Sequence, residues 1–111
     1  MKDDLIKCLV KKPGETIKYG VIPNTLEAFQ EAVEGYIECV TIRPDLVMIV
    51  NEEGKLRGLP YNFTLFGYDE IVGTALFVGV DGEEFANCPL ETKDLLDALV
   101  DYQEEHYGKD N

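Results

Sequence analysis

The sequence predicts an α+β domain, a mostly antiparallel sheet of about five strands with two helices packed on one face, in the order β-β-α-β-β-β-β-α. Three observations carry this prediction. Short runs rich in β-branched and aromatic residues are punctuated by Pro, Gly, Asn and Asp. Two segments repeat apolar residues at spacings of three and four, as a helix with one buried face does. At 111 residues and 45% hydrophobic content the chain, residues 1–111, reads as a single domain able to bury a core.

The first two strand candidates are Leu5 to Val10 and Ile17 to Ile22, joined through Lys11-Lys12-Pro13-Gly14-Glu15 as a hairpin. Pro23-Asn24-Thr25-Leu26-Glu27 then reads as a helix start. Asn24 is placed to cap the exposed backbone donors, and Glu27 lies three residues on, where a capping-box carboxylate belongs. Leu26, Phe29 and Val33 share one helical face while Glu27, Glu31 and Glu34 look outward, and Gly35 stops the helix.

Tyr36 to Pro60 reads as three short strands joined by two turns. Arg43-Pro44-Asp45 supplies the first turn. Leu46 to Val50 is five apolar residues without a polar break, as in a central strand covered on both faces. Asn51-Glu52-Glu53-Gly54 supplies the second turn, after which the chain returns through Lys55-Leu56-Arg57. Residues 61–70 read as a loop carrying four aromatics. Ile71 to Val80 reads as a second buried strand, in which Gly73 and Gly79 signal a bulge or the close approach of another backbone. Pro89 introduces a final helix from about Leu90 to His106, with Leu95, Leu99 and Tyr102 as its apolar stripe and Leu96 and Val100 widening it.

The order of several short motifs resembles a known family. A Leu-Glu-Ala helix start, Gly35-Tyr36-Ile37-Glu38, Asn51-Glu52-Glu53-Gly54-Lys55-Leu56, Gly58-Leu59-Pro60 with Asn62, and Ile71-Val72-Gly73-Thr74-Ala75 together look like a domain-of-unknown-function family. That family is met in phages, conjugative elements and gut-dwelling Gram-positive bacteria. The resemblance covers roughly Leu5 to Glu84 and leaves the last helix outside. It implies a phage or mobile-element accessory protein and brings no catalytic residues.

The residues themselves point away from an enzyme. The chain has no serine, and its one histidine, His106, has no cysteine or second histidine at triad or ligand spacing. Cys8, Cys39 and Cys88 form no C-x-x-C pair and read as small buried hydrophobes in a reducing compartment, so neither metal nor cofactor is expected. No apolar run reaches the roughly 20 residues that span a bilayer, and Met1-Lys2-Asp3-Asp4 lacks the apolar stretch of a signal peptide, so a cytoplasmic location is expected.

Charge is the strongest physical signal. The net charge is −12, with +2 over residues 1–20, −4 over 21–60 and −10 over 61–111. Such a chain repels nucleic acid and anionic membranes. In the last helix Glu91, Asp94, Asp97, Asp101 and Glu105 recur at spacings of 3, 3, 4 and 4, forming one acidic stripe. Its charges stand about 4.5–6 Å apart along the axis, near the phosphate spacing of a nucleic-acid strand. A second candidate site is a polar pocket of Glu38, Asn51, Arg57 and Asn62 near the central hairpins.

Three functions follow as expectations. The first is a non-enzymatic interaction protein with a protein partner, basic in charge, and capable of pairing as a homodimer through the edge strand Ile17 to Ile22. The second is a DNA mimic acting through the acidic helix against a host nuclease or repressor. The third is a small-molecule-binding domain using the central hairpins and the aromatic segment.

Overall fold

The computed structural model describes residues 5–89 and 91–103, with residues 99–103 described by their backbone alone. The α+β class and the succession of elements hold. Strands β1 (Leu5–Lys11) and β2 (Lys18–Pro23) form the N-terminal hairpin, and α1 (Leu26–Val33) follows. Strands β3 (Ile37–Arg43) and β4 (Leu46–Asn51) form a second hairpin, and β5 (Tyr61–Leu65) and β6 (Asp69–Val72) a third. Strands β7 (Ala75–Asp81) and β8 (Glu84–Ala86) precede α2 (Thr92–Gln103). The main sheet runs β2-β1-β7-β4-β3 with every neighbour antiparallel, β8 adds to β7, and β5 pairs with β6 in a sheet of two.

All six residues of β4 are buried, as the apolar run requires. Pleating sends Val47 and Ile49 to one face, where they meet Ile6, Cys8, Leu76, Val78 and the α1 residues Phe29 and Val33. Leu46, Met48 and Val50 go to the other face, against Leu9, Ala75, Phe77, the hairpin residues Phe63, Leu65 and Ile71, and Leu96 of α2. The two helices therefore lie on opposite faces, which corrects the expectation of a single helical layer. The reason is in β4 and β7, which are apolar on both sides. Covering one face alone would leave Leu46, Met48 and Phe77 in water, at about 1.5–3 kcal/mol for each large side chain.

Local features differ from expectation for identifiable reasons. Residues 52–58 form consecutive turns, so 55–57 is not a strand. Residues 61–70, expected as a loop, hold β5 and the first half of β6. Their connection sets Phe66 and Gly67 at φ 56° and 81°, the positive-φ pair of a type I′ turn closed by Tyr68 N–H donating to Leu65 O at 3.2 Å. Residues 71–80 are two strands broken at Gly73, whose φ is 73° and whose added Cβ would lie 2.9 Å from Leu59 Cδ1. At Gly79 the expected close approach is present, since a Cβ there would fall 2.1 Å from Asn87 O.

Helix α1 starts one residue later than the sequence suggested. Thr25 is the N-cap, its hydroxyl accepting from Ala28 N–H at 3.1 Å, while Asn24 Nδ2 donates to Phe85 O at 3.1 Å and ties the helix start to β8. This shifts Glu27 out of the capping-box position. Leu26, expected on the buried face, is 53% exposed. The left-handed C-cap is Glu34, at φ 66°, not Gly35. Gly35 answers a different need, because a Cβ there would stand 2.6 Å from Asn51 Nδ2 and 2.9 Å from Arg57 Nη1. In α2 Leu96 is buried and Leu95 is 54% exposed, while the side chains of Leu99, Val100 and Tyr102 lie outside the described set, as does His106 entirely.

Candidate functional site

Of the four residues expected to form one polar pocket, Glu38 and Asn51 line the same cleft, Arg57 joins Asn51 at the end of α1 but borders a separate groove, and Asn62 lies elsewhere. Asn51, at the end of β4, sits beneath the C-terminus of α1. Its Nδ2 donates to Val33 O at 2.9 Å and Glu34 O at 3.2 Å, and its Oδ1 accepts from Glu53 N–H at 2.7 Å. Arg57 Nη1 also donates to Glu34 O. Asn51 and Arg57 thus converge on helix-end carbonyls left unsatisfied by the helix itself, and two donors on Glu34 O hold that residue in its left-handed conformation. Arg57 borders a separate shallow groove with Gln30, Gly35 and Tyr36.

Asn62 is buried deep between the N-terminal hairpin and the break at Gly73. Its Nδ2 donates to Lys11 O at 2.8 Å and Gly73 O at 2.7 Å, and its Oδ1 accepts from Lys11 Nζ at 2.8 Å. Lys11 is itself only 2% exposed. Asn62 is a structural link between the two sheets.

Glu38 remains at the surface, on the edge strand β3 as strand alternation suggested, and borders a cleft of about 180 Å³. The cleft lies between β3, the 52–56 turn and β6. Its floor is apolar, formed by Val50, Ile71 and Val72, and its rim carries Glu38, Glu52, Glu53, Asp69 and Glu70. The one cation on the rim is Lys55, whose Nζ stands 3.8 Å from Asp69 Oδ1. Among the described residues Glu38, Glu52, Glu53 and Glu70 make no ion pair. The sequence reading found Glu38 and missed the other four acids. Glu52 and Glu53 had been assigned to a turn, and Asp69 and Glu70 to a loop whose pairing into β6 brings them alongside.

The acidic stripe of α2 is partly spent within the chain. Arg43 donates to Asp45 at 2.6 and 3.3 Å and to Glu91 at 2.8 Å, clamping the β3–β4 turn to the residue before α2. These hydrogen bonds hold the carboxyls of Asp45 and Glu91 below their usual ranges. Lys93 donates to Asp97 at 2.6 Å and lies 5.7 Å from the Tyr19 ring centroid; the bond to Asp97 raises its pKa. Asp94 is exposed, with no ion pair among the described residues. The Asp101 side chain and all of Glu105 lie outside the described set.

Cys8 and Cys88 are buried as expected, whereas Cys39 is exposed because β3 is an edge strand, with no strand beyond it among the described residues. Desolvation raises all three thiol pKa values, with Cys88 adding to the effect at Cys8 and Glu38 at Cys39. Among the described residues no group of three His, Cys, Asp or Glu is arranged to hold a metal ion, and no helix is long and apolar enough to cross a membrane.

The fold and cleft define a small antiparallel α+β domain with an acidic groove beside β3. The chain belongs to the family described as Domain of unknown function (DUF3846), whose model matches residues 6–104. The match takes in α2, which the sequence resemblance had left outside. No curated protein and no solved structure matches the chain.

Proposed function

We propose that the protein is a non-enzymatic interaction module of the cytoplasm that recognises a basic segment of a partner protein in the cleft beside β3. The observation that carries this reading is the composition of that cleft: five carboxylates on its rim, one lysine, and an apolar floor. Lysine and arginine side chains suit such a surface, because their methylene stems cover apolar area while their heads stay among carboxylates. Uncompensated like charges on a rim cost stability, and an opposite charge brought by a partner relieves them.

The other readings have less support. A DNA mimic needs its acids free to meet a basic groove, and Glu91 and Asp97 are engaged by Arg43 and Lys93. A small-molecule pocket commonly begins near 300 Å³; the cleft holds about 180 Å³, and the larger grooves, about 470 Å³ beside β2 and α1 and about 360 Å³ beside Arg57, are more open to solvent than the cleft. A role as a phage or mobile-element accessory protein fits an interaction module and is part of the same proposal.

The test is a titration of the protein with extended synthetic peptides of alternating Lys or Arg and apolar residues, followed by amide NMR shifts at low and moderate salt. Charge-reversed peptides serve as controls. Three proteins are compared: the wild type, Glu52→Gln/Glu53→Gln/Glu70→Gln in the cleft, and Asp94→Asn/Asp97→Asn on α2. Binding that weakens steeply with salt, is lost in the cleft variant and persists in the helix variant is the expected result. Loss in the helix variant alone moves the interaction to α2, and equal binding by all three refutes the cleft.

A further inference from the structure

The main sheet ends in two open edges, β2 and β3, and they are built differently. Strand β3 carries the devices that keep an edge from pairing with another sheet: a register shift between Thr41 and Arg43, the unpaired Glu38, and Arg43 in its ion pairs. Strand β2 is less guarded, with only Lys18 and Pro23 at its two ends. Its pairing with β1 runs over six residues without a bulge, it contains no acid, and proline appears only as its last residue, Pro23. Its one charge, Lys18, is met within the chain by Glu15 at 3.3 Å.

Between Lys18 and Pro23 the edge presents two largely exposed apolar side chains, Tyr19 and Val21, with Lys93 of α2 5.7 Å from the Tyr19 ring centroid. Tyr19 and Val21 are 62% and 64% exposed, and Leu5, which shares their face, is 57% exposed. Strand alternation puts all three on the α2 side of the sheet, in register with Leu9, Lys7 and Pro23. Gly20 lies between Tyr19 and Val21 and places no side chain on the opposite face.

From these observations we infer that the chain self-associates by pairing β2 antiparallel with β2 of a second copy, the two-fold axis passing beside Gly20. That register sets Tyr19 of each copy against Val21 of the other, an aromatic and β-branched cross-strand pair. It also joins the two exposed apolar patches into one. Charge selects a second copy at this edge. For a chain of net charge −12, the strand with no acid and an internally neutralised lysine is where two copies approach with least repulsion. The contact is isologous and closed, as a stable homodimer requires. One strand and three side chains a side fall below the roughly 1,200 Å² of a tight interface, so the dimer forms in the micromolar range.

Sedimentation velocity on the full chain, from about 1 μM to about 1 mM, reads the association directly. The expected result is a monomer–dimer equilibrium that strengthens with salt, because screening removes repulsion between two acidic copies. This is opposite to the salt dependence expected of the cleft. Val21→Lys, at an exposed position that leaves the core intact, raises the dimer dissociation constant at least about tenfold. Thr41→Lys on β3 leaves it unchanged. Amide exchange in β2 slows with protein concentration in the wild type and not in Val21→Lys. A wild type that stays monomeric throughout, an undiminished dimer in Val21→Lys, or a dimer lost in Thr41→Lys overturns the inference.

Discussion

Replacing Asn62 with alanine tests the link between the two sheets. Asn62 is 6% exposed and makes three hydrogen bonds, two to the neutral carbonyls of Lys11 and Gly73 and one from the Lys11 ammonium. A neutral hydrogen bond contributes about 1 kcal/mol net and one to a charged group about 1.5–3 kcal/mol, so the loss comes to about 3–5 kcal/mol. Against the roughly 5–15 kcal/mol of a whole domain this is a large fraction. It corresponds to a fall in Tm of about 12–20 °C at roughly 4 °C per kcal/mol. Urea unfolding followed by circular dichroism measures it, with an unchanged m-value showing that only the native state is affected. Removing both partners, in Lys11→Met/Asn62→Leu, is expected to cost less than the two single changes together, because the Lys11 ammonium and the Asn62 carbonyl oxygen are removed as a pair, while the carbonyls of Lys11 and Gly73 lose their donor in either case. A loss below about 1 kcal/mol for Asn62→Ala would mean that water replaces all three contacts, and the proposed link would fail.

Four further predictions come from other parts of the structure. Gly79→Ala forces a Cβ to within 2.1 Å of Asn87 O, so it is expected to displace β8 and cost about 3 kcal/mol or more, read as lost amide protection at residues 84–88. Phe66→Asn, at φ 56° and 51% exposed, suits the type I′ turn better and is expected to stabilise the chain by up to about 1 kcal/mol in urea unfolding; a destabilisation refutes the turn assignment. Because Arg43 depresses the folded pKa values of Asp45 and Glu91 below 3.8 and 4.5 respectively, the stability they supply is present above those values and is lost as pH falls through the lower folded ones. Arg43→Gln should therefore flatten the acid limb of the stability curve, and an unchanged limb counts against the clamp. Among the three cysteines, Cys39 is expected to react first with iodoacetamide, slowly at neutral pH, and faster in Glu38→Gln, since Glu38 helps keep its thiol protonated; equal rates for all three thiols would contradict the burial.

Much of the fold was legible in short stretches. Leu46 to Val50 announced a strand covered on both sides, because five apolar residues in a strand project to both faces. The N-terminal hairpin was visible in Pro13-Gly14 and its flanking runs, and Gly79 in its strand signalled the backbone that approaches it. The β5–β6 hairpin was not legible, because its turn places Phe66 at positive φ, where Asn or Gly is the usual signal, and only Gly67 hinted at it. Asn24 and Thr25 are both capping residues, and the choice between them depends on a carbonyl of Phe85, 61 residues away. Gly35 looked like a helix stop, yet what demands a glycine there is the arrival of Asn51 and Arg57 from a later turn.

The candidate site divides in the same way. The sequence by itself determined that the protein is an acidic α+β domain with a two-sided central strand and its negative charge concentrated in the C-terminal half, since composition and alternation are local properties. Only the tertiary structure decided that Asn51, Arg57 and Asn62 are spent on backbone carbonyls, that Glu91 already holds a cation, and that Glu38 shares a rim with Glu52, Glu53, Asp69 and Glu70. It also put the helices on opposite faces and left β2 as the less guarded edge. The physical reason is that most of these partners and strand neighbours are set by which segments the sheet brings side by side, as in Lys11–Asn62, 51 positions apart, and Arg43–Glu91, 48 apart, whereas Lys93–Asp97, four apart on one helix, follows from local spacing.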